Sequence, residues 1–347
     1  MAISTLEAEA PVHGVPVVPF EVQHDHLLDD ARELMLRVFP GWAAGDLVLK
    51  ENSGGITNKL VRCVNRRENL TVLIRAYGRN TEIIIDRGME LANMAGLASQ
   101  GVCPPVYARF ANGLVYGYIP GTVPSPEEMG SAALAPLIAR KLAEWGQISL
   151  PGDRTPQLLP TLRRWLQDIP ACYGDARKDA VFREHFSLDM LRSELAAVEQ
   201  LAAAAESPVV FAHNDLLSGN IVLSASGDAV SFIDYEYATY NYRGFDIANH
   251  FNEYAGFECD YSRYPAKDAQ LAWFRAYLEH IGLDASPAAL ERMHREVALL
   301  RPASHYYWGV WALVQAAISD IDFDYLDYAR LRFAKYFEDK AQLQPML

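Results

Sequence analysis

The chain is poor in cysteine, poor in positive charge and without a long apolar run, and each shortage removes a class of protein. Four cysteines in 347 residues (Cys63, Cys103, Cys172 and Cys259) lie far apart and form no CxxC pair. That argues against a zinc site or a disulfide framework and suits a reducing compartment. Lysine and arginine total 31 against 44 aspartates and glutamates, a formal net charge of −13, so a broad nucleic-acid-binding face is not expected. A few arginines and a metal can still neutralise a phosphate locally in such a chain. The most apolar helical stretch, "YYWGVWALVQAAISDI", is too short and too near charges to span a bilayer. The opening "MAISTLEAEAPVHG" has neither a basic n-region nor a long apolar h-region, so a cytoplasmic protein without a signal peptide is expected. No internal repeat or low-complexity tract is visible, and a homo-oligomer is left open.

What is present is ordinary globular composition, half hydrophobic and 22% charged, with length for two lobes that each bury a core. "DHLLDDARELMLRVF" has apolar residues at helical spacing. "LVLKE", "KLVRCVN" and "LTVLIRAY" read as strands, and "NTEIIIDRGMELANMAGLASQG" as a helix closed by Gly101. "VYARFANGLVYGYI" reads as a hairpin turning at Asn112–Gly113, and "PGTVPSPEEMG" as a turn-rich connection. From about Ser131 the chain is mostly helical, with aromatic-rich helices late. The expected organisation is a β-rich lobe over residues 1–119 with a leading helix, then a mainly helical lobe over residues 120–347. That is the order of parts in kinase-like phosphotransferases.

Inside the helical part lies "HNDLLSGNIVLSASGDAVSFIDYEY", whose apolar segments read as short strands around a turn at "SASGD". Asp215, Asn220 and Asp234 sit where strands end, so their side chains can converge outside the sheet. A phosphoryl-transfer site needs one carboxylate beside the attacking hydroxyl, and an amide with a second carboxylate to hold magnesium on the phosphates. Asp215 suits the first role. Asn220 and Asp234 suit the second, because magnesium is a hard cation that prefers oxygen. Glu236, two residues after Asp234, shares its face if the strand continues, and is a candidate second metal ligand. Turn-capping is the bland alternative; it explains Asp228 well but not the Asp-x4-Asn-x13-Asp set. His213 reads as structural. Upstream, "ENSGGITNKLV" bends at Gly54 and Gly55, where glycine lets a backbone approach phosphates, and Thr57 and Asn58 add donors. "VLIR" in the next strand ends in Arg75, which can clamp phosphate oxygens with its planar fork.

Together "HNDLLSGNIVL", "FIDYEYATYNYRGFDIANHFNEYAG" and "GGITNKLV" resemble the ethanolamine branch of the choline/ethanolamine kinase family, from about Leu47 to Phe337. The resemblance implies an α+β, bilobal, protein-kinase-like fold shared with choline kinases and aminoglycoside phosphotransferases. It implies ATP and Mg2+ as cofactors and a small amino alcohol as acceptor, ethanolamine or choline. Ethanolamine phosphorylation would open the CDP-ethanolamine route to phosphatidylethanolamine. By resemblance Ser53, Gly54, Gly55, Thr57 and Asn58 form the phosphate-covering loop. Glu90 is then the helix carboxylate that pairs with Arg75, and backbone groups near Ile119 meet the adenine edge. Glu253 is the carboxylate facing the ammonium, while Trp308, Trp311, Tyr325 and Tyr328 form or support an aromatic wall. Trp308 and Trp311, three apart on a helix, share a face, and core packing is the alternative for any one of these aromatics. Arg243 and Asp246 read as braces. Physics alone leaves the amine open, since both carboxylates and aromatic faces are present. The resemblance favours ethanolamine, because choline kinases typically carry tryptophan where Tyr254 stands. The competing readings are a choline or dual-specificity kinase, an aminoglycoside-type phosphotransferase and a pseudokinase scaffold.

Overall fold

Alternation of apolar side chains, with one amphipathic helix laid against them, builds the first part of the protein. The computed structural model describes residues 12–52 and 58–343, and the chain divides after Ile119 into two units, residues 319–321 grouping with the first. In the first unit β1 (Val17–Val18), α1 (Leu27–Val38), β2 (Leu47–Asn52), β3 (Asn58–Asn65), β4 (Leu70–Tyr77), α2 (Arg87–Ser99), β5 (Val106–Phe110) and β6 (Gly113–Gly117) follow in order. The strands form one sheet in the order β1-β5-β6-β4-β3-β2, antiparallel except for the β1–β5 pair. Val61 and Cys63 of β3, and Val72, Ile74 and Ala76 of β4, all point to the face covered by Leu27, Ala31, Leu34 and Met35 of α1. Arg75, between Ile74 and Ala76, therefore emerges on the opposite face.

Two features differ from the sequence reading. The segment from Asn80 is not one helix: a 3-10 turn covers Thr81–Ile83, and α2 starts at Arg87 with Asp86 as its N-cap, accepting from the Met89 N–H at 2.9 Å. The β5–β6 hairpin turns at residues 111–112, and Gly113 is already in strand. A Cβ there would lie 2.0 Å from the Arg75 carbonyl oxygen and 2.3 Å from the Phe110 ring, so the glycine marks a close approach.

The second unit holds α3 (Ala135–Trp145), α4 (Leu158–Asp168), α5 (Ala176–His185), α6 (Leu188–Ala204), β7 (Val209–Ala212), β8 (Ile221–Leu223), β9 (Val230–Phe232), β10 (Thr239–Tyr242), α7 (Arg243–Asn252), α8 (Lys267–His280), α9 (Pro287–Ile318) and α10 (Tyr325–Leu343). The hairpin β8–β9 is antiparallel, and β7 pairs with β10, a strand the sequence reading did not anticipate. Gly121 (φ +155) lets the chain run against this hairpin, where a Cβ would meet the Leu223 carbonyl oxygen at 2.3 Å. The long α9 is buried along Leu299–Ala316 and packs against α7 and α10. Among the described residues no helix is long and apolar enough to cross a membrane.

Candidate active site

The loop after β7 carries Asp215, and α7 fixes it. Asn214 lies in the left-handed region at φ 65, which asparagine tolerates better than most residues. Asp246 accepts the backbone N–H of His213 at 2.9 Å and of Asn214 at 2.7 Å. One turn further, His250 donates through Nδ1 to the Leu216 carbonyl at 3.0 Å. Both neighbours of Asp215 are thus held by one helix face. His213 is itself buried, its Nε2 on the Ile233 carbonyl at 3.0 Å, and burial lowers its pKa to about 4. It is a neutral structural residue. Arg243 is bound to Glu296.

Asp215 is buried, and the Asn220 Nδ2 donates both to its backbone carbonyl at 2.7 Å and to its Oδ2 at 3.0 Å. The Asn220 amide is thereby oriented, with its nitrogen spent and its carbonyl oxygen as the remaining acceptor. Burial holds the Asp215 carboxyl well above the usual range, and the charges of Glu253, Asp234 and Glu236 push it further, against the Asn220 bond. Three further carboxylates thus lie near enough for their charge to act on Asp215. Asp234 adopts φ 62, because β9 ends at Phe232. The strand does not continue to Glu236, which lies in the next turn. Alternation along a strand is thus not what brings Glu236 to the site; the turn does. The Asn220 oxygen and the Asp234 and Glu236 carboxylates are hard donors of the kind Mg2+ takes. Among the described residues no three His, Cys, Asp or Glu side chains group as a metal-holding set.

The aromatic residues come together on the same unit. Trp308 packs edge-on against Tyr237 at 5.3 Å and against Trp311 at 5.4 Å, and Trp311 against Tyr325 at 5.7 Å. The Trp311 Nε1 donates to the Tyr237 hydroxyl at 2.8 Å. Glu253 lies just beyond α7, and its Oε1 accepts from Arg332 Nη1 at 2.8 Å, a pair only 7% and 1% exposed. The same Nη1 donates to the Tyr328 hydroxyl at 3.0 Å. Glu253 therefore brings one committed oxygen and one remaining oxygen. Tyr254 is a core residue, its hydroxyl donating to the Met129 carbonyl at 3.3 Å and its ring set edge-on to His250 and Phe251.

In the first unit Arg75 is ion-paired with Glu90 and buried on the sheet face opposite α1. The second Glu90 oxygen takes Arg87 Nη1 at 2.9 Å. Arg87 also donates to the Asn58 Oδ1 at 3.1 Å and to the Thr81 hydroxyl at 2.6 Å, and lies 3.9 Å over the Tyr77 ring. Glu90 thus pairs with two arginines at once. Ile119 follows β6 and is half-buried. Ser53, Gly54, Gly55 and Thr57 lie outside the described residues.

Three residues escaped the sequence reading. Tyr237 directly follows Glu236, and its neighbour was the signal. Arg332 is four residues after Tyr328 on α10, a spacing that puts both on one face, and Arg87 stands three before Glu90.

A family profile described as choline/ethanolamine kinase matches residues 49–337. Ethanolamine kinase 2 of Mus musculus is 39% identical over 339 residues, covering 97% of this chain and 87% of its own. The solved structure of Plasmodium vivax ethanolamine kinase superposes with a TM-score of 0.83 at 30% identity, over 92% of this chain and 91% of that one. Choline kinase of Cryptosporidium parvum (TM-score 0.73, 22% identity, 92% and 97% covered) shares the fold. The fold is thus the α+β, protein-kinase-like one of these phosphotransferases.

Proposed function

The chain belongs to the choline/ethanolamine kinase family, and on that premise we propose that it transfers the γ-phosphoryl group of ATP to the hydroxyl of ethanolamine. The observation that carries the reading is the buried Asp215, fixed by Asn220 and acted on by the charge of three further carboxylates, in a unit that also gathers Tyr237, Trp308, Trp311 and Tyr325. Carboxylates accept from the three N–H groups of a primary ammonium, and aromatic faces attract the same cation. Asp215 orients the hydroxyl and takes its proton as the oxygen bonds to the γ-phosphorus and the bond to ADP breaks. The unit ending at Ile119 binds the nucleotide, with Arg75, steadied by Glu90, on its phosphates and backbone near Ile119 at the adenine. The rest of the chain binds the acceptor and carries the chemistry. Asn220 and Asp234, with Glu236 as a second carboxylate, are the residues that would hold Mg2+, which when bound neutralises charge on the phosphates. Four free thiols, two of them buried, suit the cytoplasm.

The test is ADP release with ethanolamine, choline and an aminoglycoside side by side. Ethanolamine should give the highest kcat/KM, choline a lower one and the aminoglycoside none. A choline preference or aminoglycoside turnover would overturn the reading.

Glu253 supplies a separate check. Glu253→Gln removes the charge facing the ammonium, so kcat/KM should fall more for ethanolamine than for choline, with the KM for ATP as control. Buried Arg332 loses its charged partner in the same variant, so stability should also drop, by about 3–5 kcal/mol where one partner of a buried pair is removed. Urea unfolding measures that part. Equal kinetic losses for both amines and for ATP would make Glu253 a brace for Arg332 and nothing more.

A further inference from the structure

We propose that Asn249 is a positioning residue that ties the acceptor pocket to the loop bearing Asp215; the inference rests on the kinase reading above. Asn249 is completely buried on α7, one turn after Asp246 on the face that clasps the loop. Its Nδ2 donates to the Asn214 carbonyl at 3.0 Å. Asp246 holds the N–H of that same residue, so both backbone polar groups of the left-handed Asn214 are fixed by side chains three apart on one helix. The Asn249 Oδ1 accepts from the Trp308 Nε1 at 2.6 Å and from the Ser304 hydroxyl at 2.9 Å. Trp308 and Ser304 are themselves four apart on α9.

The second acceptor-side group reaches the same point. Arg332 Nη2 donates to the Ser304 carbonyl and hydroxyl, both at 3.3 Å, while its Nη1 holds Glu253. Tryptophan wall and ammonium carboxylate therefore both end on one amide, whose other end holds the peptide next to Asp215. An amide is the side chain that offers a donor at one end and an acceptor at the other. A buried hydrogen-bond network of this kind holds one geometry, and the loss of one donor leaves its partner bare.

Two substitutions separate the arms. Asn249→Asp keeps an acceptor for Trp308 and Ser304 but sets an oxygen against the Asn214 carbonyl. It should lower kcat by about 10²-fold, the cost of a small misplacement of a reacting group, with the KM for ethanolamine little changed. Ser304→Ala removes the link from Arg332 to Asn249 and should raise the KM for ethanolamine with kcat and the KM for ATP nearly unchanged. Thermal unfolding of each variant gives the folded fraction to which rates are normalised. A normal kcat in folded Asn249→Asp, or losses in both variants that follow the folded fraction alone, would overturn the inference. If Asn249→Asp does not fold, Ser304→Ala decides: an unchanged KM for ethanolamine overturns the link. Should wild-type enzyme ignore ethanolamine but use another acceptor, the function reading fails, while the split between kcat and KM is still measured with that acceptor.

Discussion

Asp215→Asn should lower kcat by about 10²–10⁴-fold, the span general-base catalysis contributes, in a protein that folds as the wild type does. The geometry keeps the fold out of the result. Asn220 donates to the backbone carbonyl of residue 215 as well as to its side chain, and asparagine still presents a side-chain oxygen. The flanking peptides stay clasped by Asp246 and His250. What disappears is a carboxylate able to take a proton from the acceptor hydroxyl. Asp215 is crowded by Glu253, Asp234 and Glu236, so neutralising it also relieves like-charge repulsion, and the midpoint of thermal unfolding should stay at or above that of wild type. The measurements are turnover at saturating ethanolamine and ATP, with the unfolding midpoint alongside. Near-normal turnover would remove Asp215 from the chemistry. A large fall in the midpoint would make it a structural acid.

The spacing of that site is legible in the sequence, because a hairpin sets it. Asp215 and Asn220 precede β8, Asp234 follows β9, and period-two strands with a Gly227 turn between them leave little freedom in where those residues land. The same logic gave the β2–β4 strands. It does not reach past the end of a strand: Glu236 shares the Asp234 face only if the strand continues, and the chain turns left-handed at Asp234 instead. It also failed where a function depends on helices far apart in sequence. Arg332 reaches Glu253 across 79 residues and Trp308 reaches Asn249 across 59, and no local pattern announces either bond. Tyr254, read as a marker of amine choice, is packed between His250, Phe251 and Gly130.

The second large effect is expected at Asp234, and its left-handed backbone decides which substitution is informative. Alanine at φ 62 would add strain of about 1–2 kcal/mol on top of the lost carboxylate. Asparagine tolerates that conformation and keeps an oxygen, so Asp234→Asn removes the charge alone. Partners outside the shell of a metal already cost about 10–100-fold when mutated, so a residue that supplies a charged ligand oxygen should cost at least as much in kcat/KM for ATP. Asn220 cannot compensate, because it is neutral and its nitrogen is committed to Asp215. Glu236 is the carboxylate left to take over, which predicts partial recovery at high Mg2+ and none in Asp234→Asn/Glu236→Gln. Calorimetric titration of ATP with and without Mg2+ separates binding from turnover. In wild type the metal should tighten ATP binding; in Asp234→Asn that gain should shrink, while binding without metal stays as it was. An unchanged gain, with normal activity at ordinary Mg2+, would mean that Asp234 does no more than close the turn after β9.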